Sequence, residues 1–227
     1  VPREAIVAGN GSTEILYLLP RVLGFDRALI PVPSYVDYET VCRLCGLTVE
    51  RVPLDPEQGF RPDLDALRPH LRHPALVFLG RPNNPTGLTF PAQELRELAR
   101  EHPDSFFIAD EAFADFVPGL DRLYRDAPDN VLTLLSLTKF YALPGLRSGL
   151  AVGSSGTVAD LARHIPPWSV NTLAQEVTVR ALQDEEYAER TRETVPRLRE
   201  ELTQGLSRLP DVTVFPGEAN YLLCRLE

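Results

Sequence analysis

The sequence predicts an α/β protein: a mostly parallel sheet sandwiched by helices, followed by the start of a smaller α+β domain. Two observations carry this. Short apolar, β-rich runs alternate with longer stretches of helical period, the pattern of strands joined by crossover helices. The polar residues that break this pattern fall just behind the strand-like runs, where parallel sheets collect ligands.

The runs at 27–33, 47–54, 75–82, 105–113, 130–138 and 148–153 read as strands, rich in Val, Ile, Leu and Phe. The stretches 12–24, 34–46 and 91–102 read as helices. The last has Pro91 near its start and a clear amphipathic period. Behind residue 170 the texture changes. A long, charged, largely helical stretch follows, with Pro196 expected to kink or restart it. "VTVFPGEANYLLCRL" then reads as two strands around a turn at Pro216-Gly217. The boundary is therefore placed between a large domain, 1–170, and a linking helix with the beginning of a second domain, 171–227. The chain lacks methionine and opens inside an apparent motif, so the expectation is a piece of a longer protein, missing its N-terminus and cut off at Glu227.

Composition narrows the function classes. Hydrophobic content of 44% supports a sizeable core rather than disorder. Formal charge is 23 − 32 = −9, which argues against a nucleic-acid or anionic-membrane surface. No apolar run approaches the roughly 18 residues of a membrane span. No basic segment precedes an apolar one near the start, so no signal peptide is visible and a cytoplasmic location is expected. Cys42 and Cys45 form a CxxC inside a helix, while His70, His73, His102 and His164 are scattered. No zinc site is completed, and two structural cysteines are the expectation.

Five strand-end features bear chemistry. "GNGSTE" (9–14) runs into a helix, where backbone N–H groups with the Ser12 and Thr13 hydroxyls suit a phosphate; it also reads as an N-cap. Asn84, in "GRPNNPTG", is pushed toward an extended conformation by Pro85 and offers its amide to a ligand; an Asx turn reads equally well. Asp110 ends "SFFIAD", expensive to bury without a cationic partner, although an N-cap is the blander reading. Lys139 follows "VLTLLSL" and sits among Phe140, Tyr141 and Leu143, which suits a surface lysine poorly. Ser136 and Lys139 form the S-x-x-K of serine β-lactamases, but the S-D-N and K-T-G partners are absent, and Ser136 follows a strand instead of opening a helix.

The order of these features is more specific than any one of them. "GNGSTE", "PSY", "NNPTG", "DEAF" and "SLTKFYALPGLR" follow each other in a way that resembles the fold-type I pyridoxal-phosphate enzymes, the class I and II aminotransferase superfamily, over nearly the whole chain. The resemblance implies a pyridoxal-phosphate-binding large domain with pyridoxal 5'-phosphate as cofactor. Lys139 would form the Schiff base with it, its apolar neighbours depressing the amine's pKa. Arg147, Ser136, Ser12 and Thr13 would hold the cofactor phosphate. Asp110 would pair with the pyridinium nitrogen, Asn84 would donate to the phenolate oxygen, and Tyr35 would stack on the ring. One departure is Phe113, where many family members have a tyrosine that shares the phenolate oxygen with the asparagine.

Within the superfamily the chain is most similar to threonine-phosphate decarboxylases and histidinol-phosphate aminotransferases. "DEAFADF", "PPWSVN" and "PGEANYLLCR" favour the decarboxylase of cobalamin synthesis, with the aminotransferase as alternative. A non-catalytic pyridoxal-phosphate regulatory module is a third reading. The resemblance also implies a phosphorylated amino-acid or amine substrate and a homodimer. Asn171 would contact substrate or cap a helix. Trp168 is expected to pack. The arginine that holds the substrate carboxylate is expected beyond residue 227, Arg225 lying too early to match it.

Overall fold

The computed structural model describes residues 1–227. Seven strands form one sheet: β1 (Ile6–Asn10), β2 (Arg27–Val32), β3 (Thr48–Pro53), β4 (Leu76–Gly80), β5 (Phe106–Asp110), β6 (Val131–Ser136) and β7 (Ser148–Val152). Their order is β1-β7-β6-β5-β4-β2-β3. β3, β2, β4, β5 and β6 pair in parallel; β7 is antiparallel to both β6 and β1. The mostly parallel sheet read from the sequence is therefore present.

Helices cover both faces, and strand alternation divides the core accordingly. On one side Ile30, Phe78, Ile108 and Leu132 meet α1 (Ser12–Leu23), α2 (Val36–Leu44) and α5 (Ser155–His164), through residues such as Ile15, Leu19, Val41 and Leu161. On the other, Leu29, Val77, Leu79, Phe107 and Ala109 meet α3 (Ala92–Glu101) and a 3-10 segment, Asp65–Arg72. All five residues of β4 are buried, so it reads as an unbroken apolar run. Each such Leu or Phe stabilises the fold by about 1.5–3 kcal/mol.

β1 was not expected as a strand. It sits at the sheet edge with a buried/exposed alternation and carries Gly9 and Asn10, so its apolar signal is weak. The run 130–138 divides: β6 ends at Ser136, and Lys139 lies on the short α4 (Leu137–Phe140).

Behind the sheet run α6 (Thr172–Gln183) and α7 (Glu185–Leu206). The break expected at Pro196 falls instead at Asp184, whose side chain caps α7 by accepting from the Tyr187 N–H at 2.9 Å. Pro196 lies inside a continuous helix. The two C-terminal strands, β8 (Val212–Phe215) and β9 (Leu223–Leu226), form their own antiparallel pair. Their connection spans 216–222, longer than the tight turn expected at Pro216-Gly217. No helix is long and apolar enough to cross a membrane.

Candidate active site

The topology brings six strand termini to one end of the sheet. The parallel strands β2, β4, β5 and β6 end there. Because β7 runs opposite to β6 and to β1, the end of β1 and the beginning of β7 lie there as well. A cavity opens at this end of the sheet, lined by polar and apolar side chains together. Ser12, Thr13, Tyr35, Asn84, Asp110, Ser136, Lys139 and Arg147, all expected to bind one group, line it together. Tyr38, Pro82, Ala112, Phe113 and Thr138 complete the wall.

One end is built for an anion. Gly11 precedes α1 with φ +80°, a conformation glycine adopts without strain. A Cβ there would lie 2.6 Å from Nη2 of Arg147, so the missing side chain lets the guanidinium lie across the helix start. A Cβ on Gly149 would lie 2.0 Å from the Ser12 nitrogen, so glycine is required where β7 carries α1. The first N–H groups of α1, the Ser12 and Thr13 hydroxyls and Arg147 thus converge. Ser136 and Thr138 add a hydroxyl pair 2.8 Å apart.

The opposite end is acidic. Asp110 Oδ1 accepts from the Ala112 N–H at 3.0 Å, and Oδ2 accepts from the Tyr38 hydroxyl at 2.8 Å. Burial pushes the carboxyl's pKa up; the Tyr38 and Ala112 hydrogen bonds and the Lys139 ammonium oppose that rise. Burial and the Asp110 charge push the Tyr38 phenol well above its ordinary value. Tyr35 stands edge-on to Tyr38, centroids 5.6 Å apart, and its hydroxyl donates to Asp37 at 2.6 Å.

Lys139 is less enclosed than its sequence neighbours imply. Leu137, Thr138 and Phe140 turn inward and are buried, whereas Lys139 is exposed toward the cavity. The nearest aromatic face is Phe113, with Nζ 5.7 Å from the ring centroid. Phe113 packs edge-to-face on Tyr221 at 4.9 Å, and the Tyr221 hydroxyl donates to the Asn83 carbonyl at 2.9 Å. The 216–221 segment is latched to the same turn: the Glu218 N–H donates to the Gly87 carbonyl at 2.7 Å, and the Thr89 hydroxyl to Glu218.

Asn171 does not line the cavity; it caps α6, accepting from the Ala174 N–H at 2.9 Å, and donates to the Leu146 carbonyl. Trp168 packs on nothing and is 96% exposed. Tyr38 was missed, although its place one turn after Tyr35 on an amphipathic helix is a readable signal.

The sequence model described as aminotransferase class I and II matches residues 1–226. The chain belongs to this family. Among curated relatives, a threonine-phosphate decarboxylase of Salmonella typhimurium is 38% identical over 100% of this chain and 64% of its own length. A histidinol-phosphate aminotransferase of Methanococcus maripaludis is 30% identical over 98% of this chain and 61% of its own. The chain thus spans less than two thirds of either relative. Among solved structures, the L-threonine-O-3-phosphate decarboxylase of Porphyromonas gingivalis superimposes with TM-score 0.84 at 28% identity, covering 100% of this chain and 68% of that one.

Aminotransferases of this family use pyridoxal 5'-phosphate. The residues present fit that group. The donors at the start of α1 match its phosphate, the buried Asp110 its ring nitrogen, the Asn84 amide its phenolic oxygen, and the Lys139 amine its aldehyde. No group of three or more metal-ligating side chains comes together. Arg225 pairs with Glu227 and is exposed on β9, outside the cavity lining.

Proposed function

We propose that this chain carries the cofactor site of a pyridoxal-phosphate-dependent enzyme that decarboxylates L-threonine O-3-phosphate to aminopropanol phosphate. The observation that carries the enzyme class is the convergence of eight residues, expected from five separate motifs, on one cavity. The decarboxylase is supported by the strings "PPWSVN" and "PGEANYLLCR" and by Phe113 in place of tyrosine. The alternative, a histidinol-phosphate aminotransferase, is supported by relatives of that name.

Bound pyridoxal phosphate supplies an aldehyde carbon that an amine can take up and a cationic ring that draws electrons from the substrate's Cα. This chain's residues position and bias that chemistry. Arg147 and the α1 N-terminus hold the phosphate. Asp110, fixed by two hydrogen bonds, keeps a proton on the ring nitrogen. Tyr35, which lines the same cavity, would cover one face of the ring and keep water from it. Lys139 Nζ would hold the aldehyde carbon, and as a free amine it would be placed to deliver a proton at Cα in a decarboxylase, or to remove and return one in an aminotransferase. Which Cα bond breaks depends on which one stands perpendicular to the ring, so one set of residues serves either reaction.

We place residues 1–170 in the cofactor domain and 171–227 in the linker and the start of a second domain. A homodimer in the cytoplasm accompanies this reading, and the exposed Trp168 and Leu173 offer a partner apolar surface. The deciding experiment incubates the full-length protein with O-phospho-threonine, and separately with histidinol phosphate plus 2-oxoglutarate. Carbon dioxide released without an oxo acid supports the first reading. Glutamate formed from the second pair replaces it with the alternative.

A further inference from the structure

We propose that Tyr38 is a positioning residue for Asp110: its hydroxyl fixes the carboxylate's orientation and holds it as the anion that faces the cofactor's ring nitrogen. This rests on the role given to Asp110 under the proposed function. Three observations carry it. The Tyr38 hydroxyl lies 2.8 Å from Oδ2 and is the only side-chain hydrogen bond that Asp110 receives. Tyr38 is itself immobilised, 2% exposed, with its ring stacked on Phe78 at 5.4 Å and 20° and meeting the edge of Tyr35. With the Ala112 N–H on Oδ1, both oxygens are pinned, and each keeps a lone pair for the cavity.

The surroundings leave this task to Tyr38. Glu111, next in the chain, turns away to Arg81 and Arg122. Lys139, from α4, attracts Asp110 across the cavity without a hydrogen bond. The Tyr35 hydroxyl serves Asp37, and the Tyr221 hydroxyl serves the Asn83 carbonyl. Without the Tyr38 hydroxyl, the buried carboxylate would hold a proton more tightly. The proton shared with the ring nitrogen would move toward oxygen, and the ring would lose positive charge. A less cationic ring lets the nitrogen contributed by Lys139 keep its own proton to higher pH.

The test follows the visible band of the full chain loaded with pyridoxal phosphate as a function of pH, together with the ¹⁵N resonance of ring-labelled cofactor. Tyr38→Phe keeps the ring stack and deletes the donor. Its midpoint is expected to rise by about one pH unit, with the ¹⁵N signal moving toward the unprotonated range. Asp110→Asn moves both further, and the double variant goes no further than Asp110→Asn. An unmoved midpoint in Tyr38→Phe beside a moved one in Asp110→Asn overturns the inference alone. An unmoved midpoint in Asp110→Asn overturns the Asp110 reading and the inference with it. A double variant that exceeds Asp110→Asn also overturns the inference, because Tyr38 would then act by another route. If Tyr38→Phe does not take up cofactor, a ring-fluorinated tyrosine at position 38, a stronger donor of nearly the same shape, decides the matter. A lowered midpoint supports the inference and an unchanged one overturns it.

Discussion

Arg81 and Glu111 form a buried ion pair directly behind the candidate site, Nη1 to Oε1 at 2.7 Å, with side chains 2% and 0% exposed. Arg81 also donates to the Phe90 and Asp121 carbonyls, and Glu111 accepts from Arg122 and from the Leu123 N–H. Glu111 follows Asp110, so this network fixes the chain at the point where β5 delivers its acid. Replacing Arg81 with Met strands part of a buried carboxylate's bonding. The expected loss of stability is about 3 kcal/mol, read as a lower urea midpoint at unchanged slope. A variant within about 0.5 kcal/mol of the parent would show that Arg122 alone satisfies Glu111.

Lys139→Ala removes the only amine in the cavity. The expected outcome is complete loss of the visible absorption band after addition of pyridoxal phosphate and dialysis, with melting behaviour close to the parent because the side chain is exposed. A band that persists after dialysis would show that cofactor is retained without Lys139, the one lysine of the chain, and would overturn its role as the attachment point.

Arg147→Ala tests the anion end. A charge-assisted hydrogen bond contributes about 1.5–3 kcal/mol, so pyridoxal phosphate should bind roughly 10- to 100-fold more weakly by fluorescence titration. Pyridoxal without the phosphate should bind both proteins alike. Arg147→Lys is expected to fall between them, since a point charge does not reproduce the guanidinium fork. Equal loss for both ligands would mean that Arg147 shapes the cavity rather than binding the phosphate.

Much of the sheet was legible because β4, β5 and β6 are mostly buried and predominantly apolar, Thr133 being the one polar residue inside them. β1 escaped because an edge strand needs only alternate apolar positions, and two of its five residues are Gly9 and Asn10. α5 was legible in principle: Ser154 caps it by accepting from the Thr157 N–H, and Val158 and Leu161 share one face. The setting of Lys139 was misread because sequence neighbours on a helix point in different directions; Leu137 and Phe140 face the core while Lys139 does not. The helical spacing of Tyr38 from Tyr35 places it on the same face, but a buried tyrosine there looks the same whether it packs or donates. Asn171 reads as a cap and is one, which only the placement of the cavity could decide.

Gly149→Ala probes the joint between β7 and the anion end. The added Cβ would meet the Ser12 nitrogen at 2.0 Å and the Gly11 carbonyl carbon at 2.6 Å, both backbone atoms with nowhere to move without shifting α1. A cost of at least about 3 kcal/mol is expected, with weakened pyridoxal-phosphate binding in whatever protein folds. Gly156→Ala, where nothing lies within 4 Å of the added carbon, serves as the control and should be neutral or slightly stabilising. Two variants of equal stability would contradict the packing of α1 on β7.

Asp110 makes the cofactor-free protein's stability depend on pH in an unusual direction. Burial raises its folded-state pKa above the unfolded value, so the folded state binds the proton more tightly than the unfolded chain does. Above the folded-state pKa the ionised carboxylate costs stability; as pH falls through that value toward the ordinary carboxylate range, the cost is relieved. Asp110→Asn removes the charge and should raise the melting temperature of the cofactor-free protein at neutral pH, with the advantage shrinking as the pH is lowered. With pyridoxal phosphate bound the order should reverse, because the ring nitrogen then meets the carboxylate with a positive charge. Melting curves of both proteins at neutral and mildly acidic pH, with and without cofactor, check the sign. If Asp110→Asn is less stable than the parent without cofactor, the Tyr38 and Ala112 hydrogen bonds outweigh desolvation, and the carboxylate is stabilised by its site before any ligand arrives.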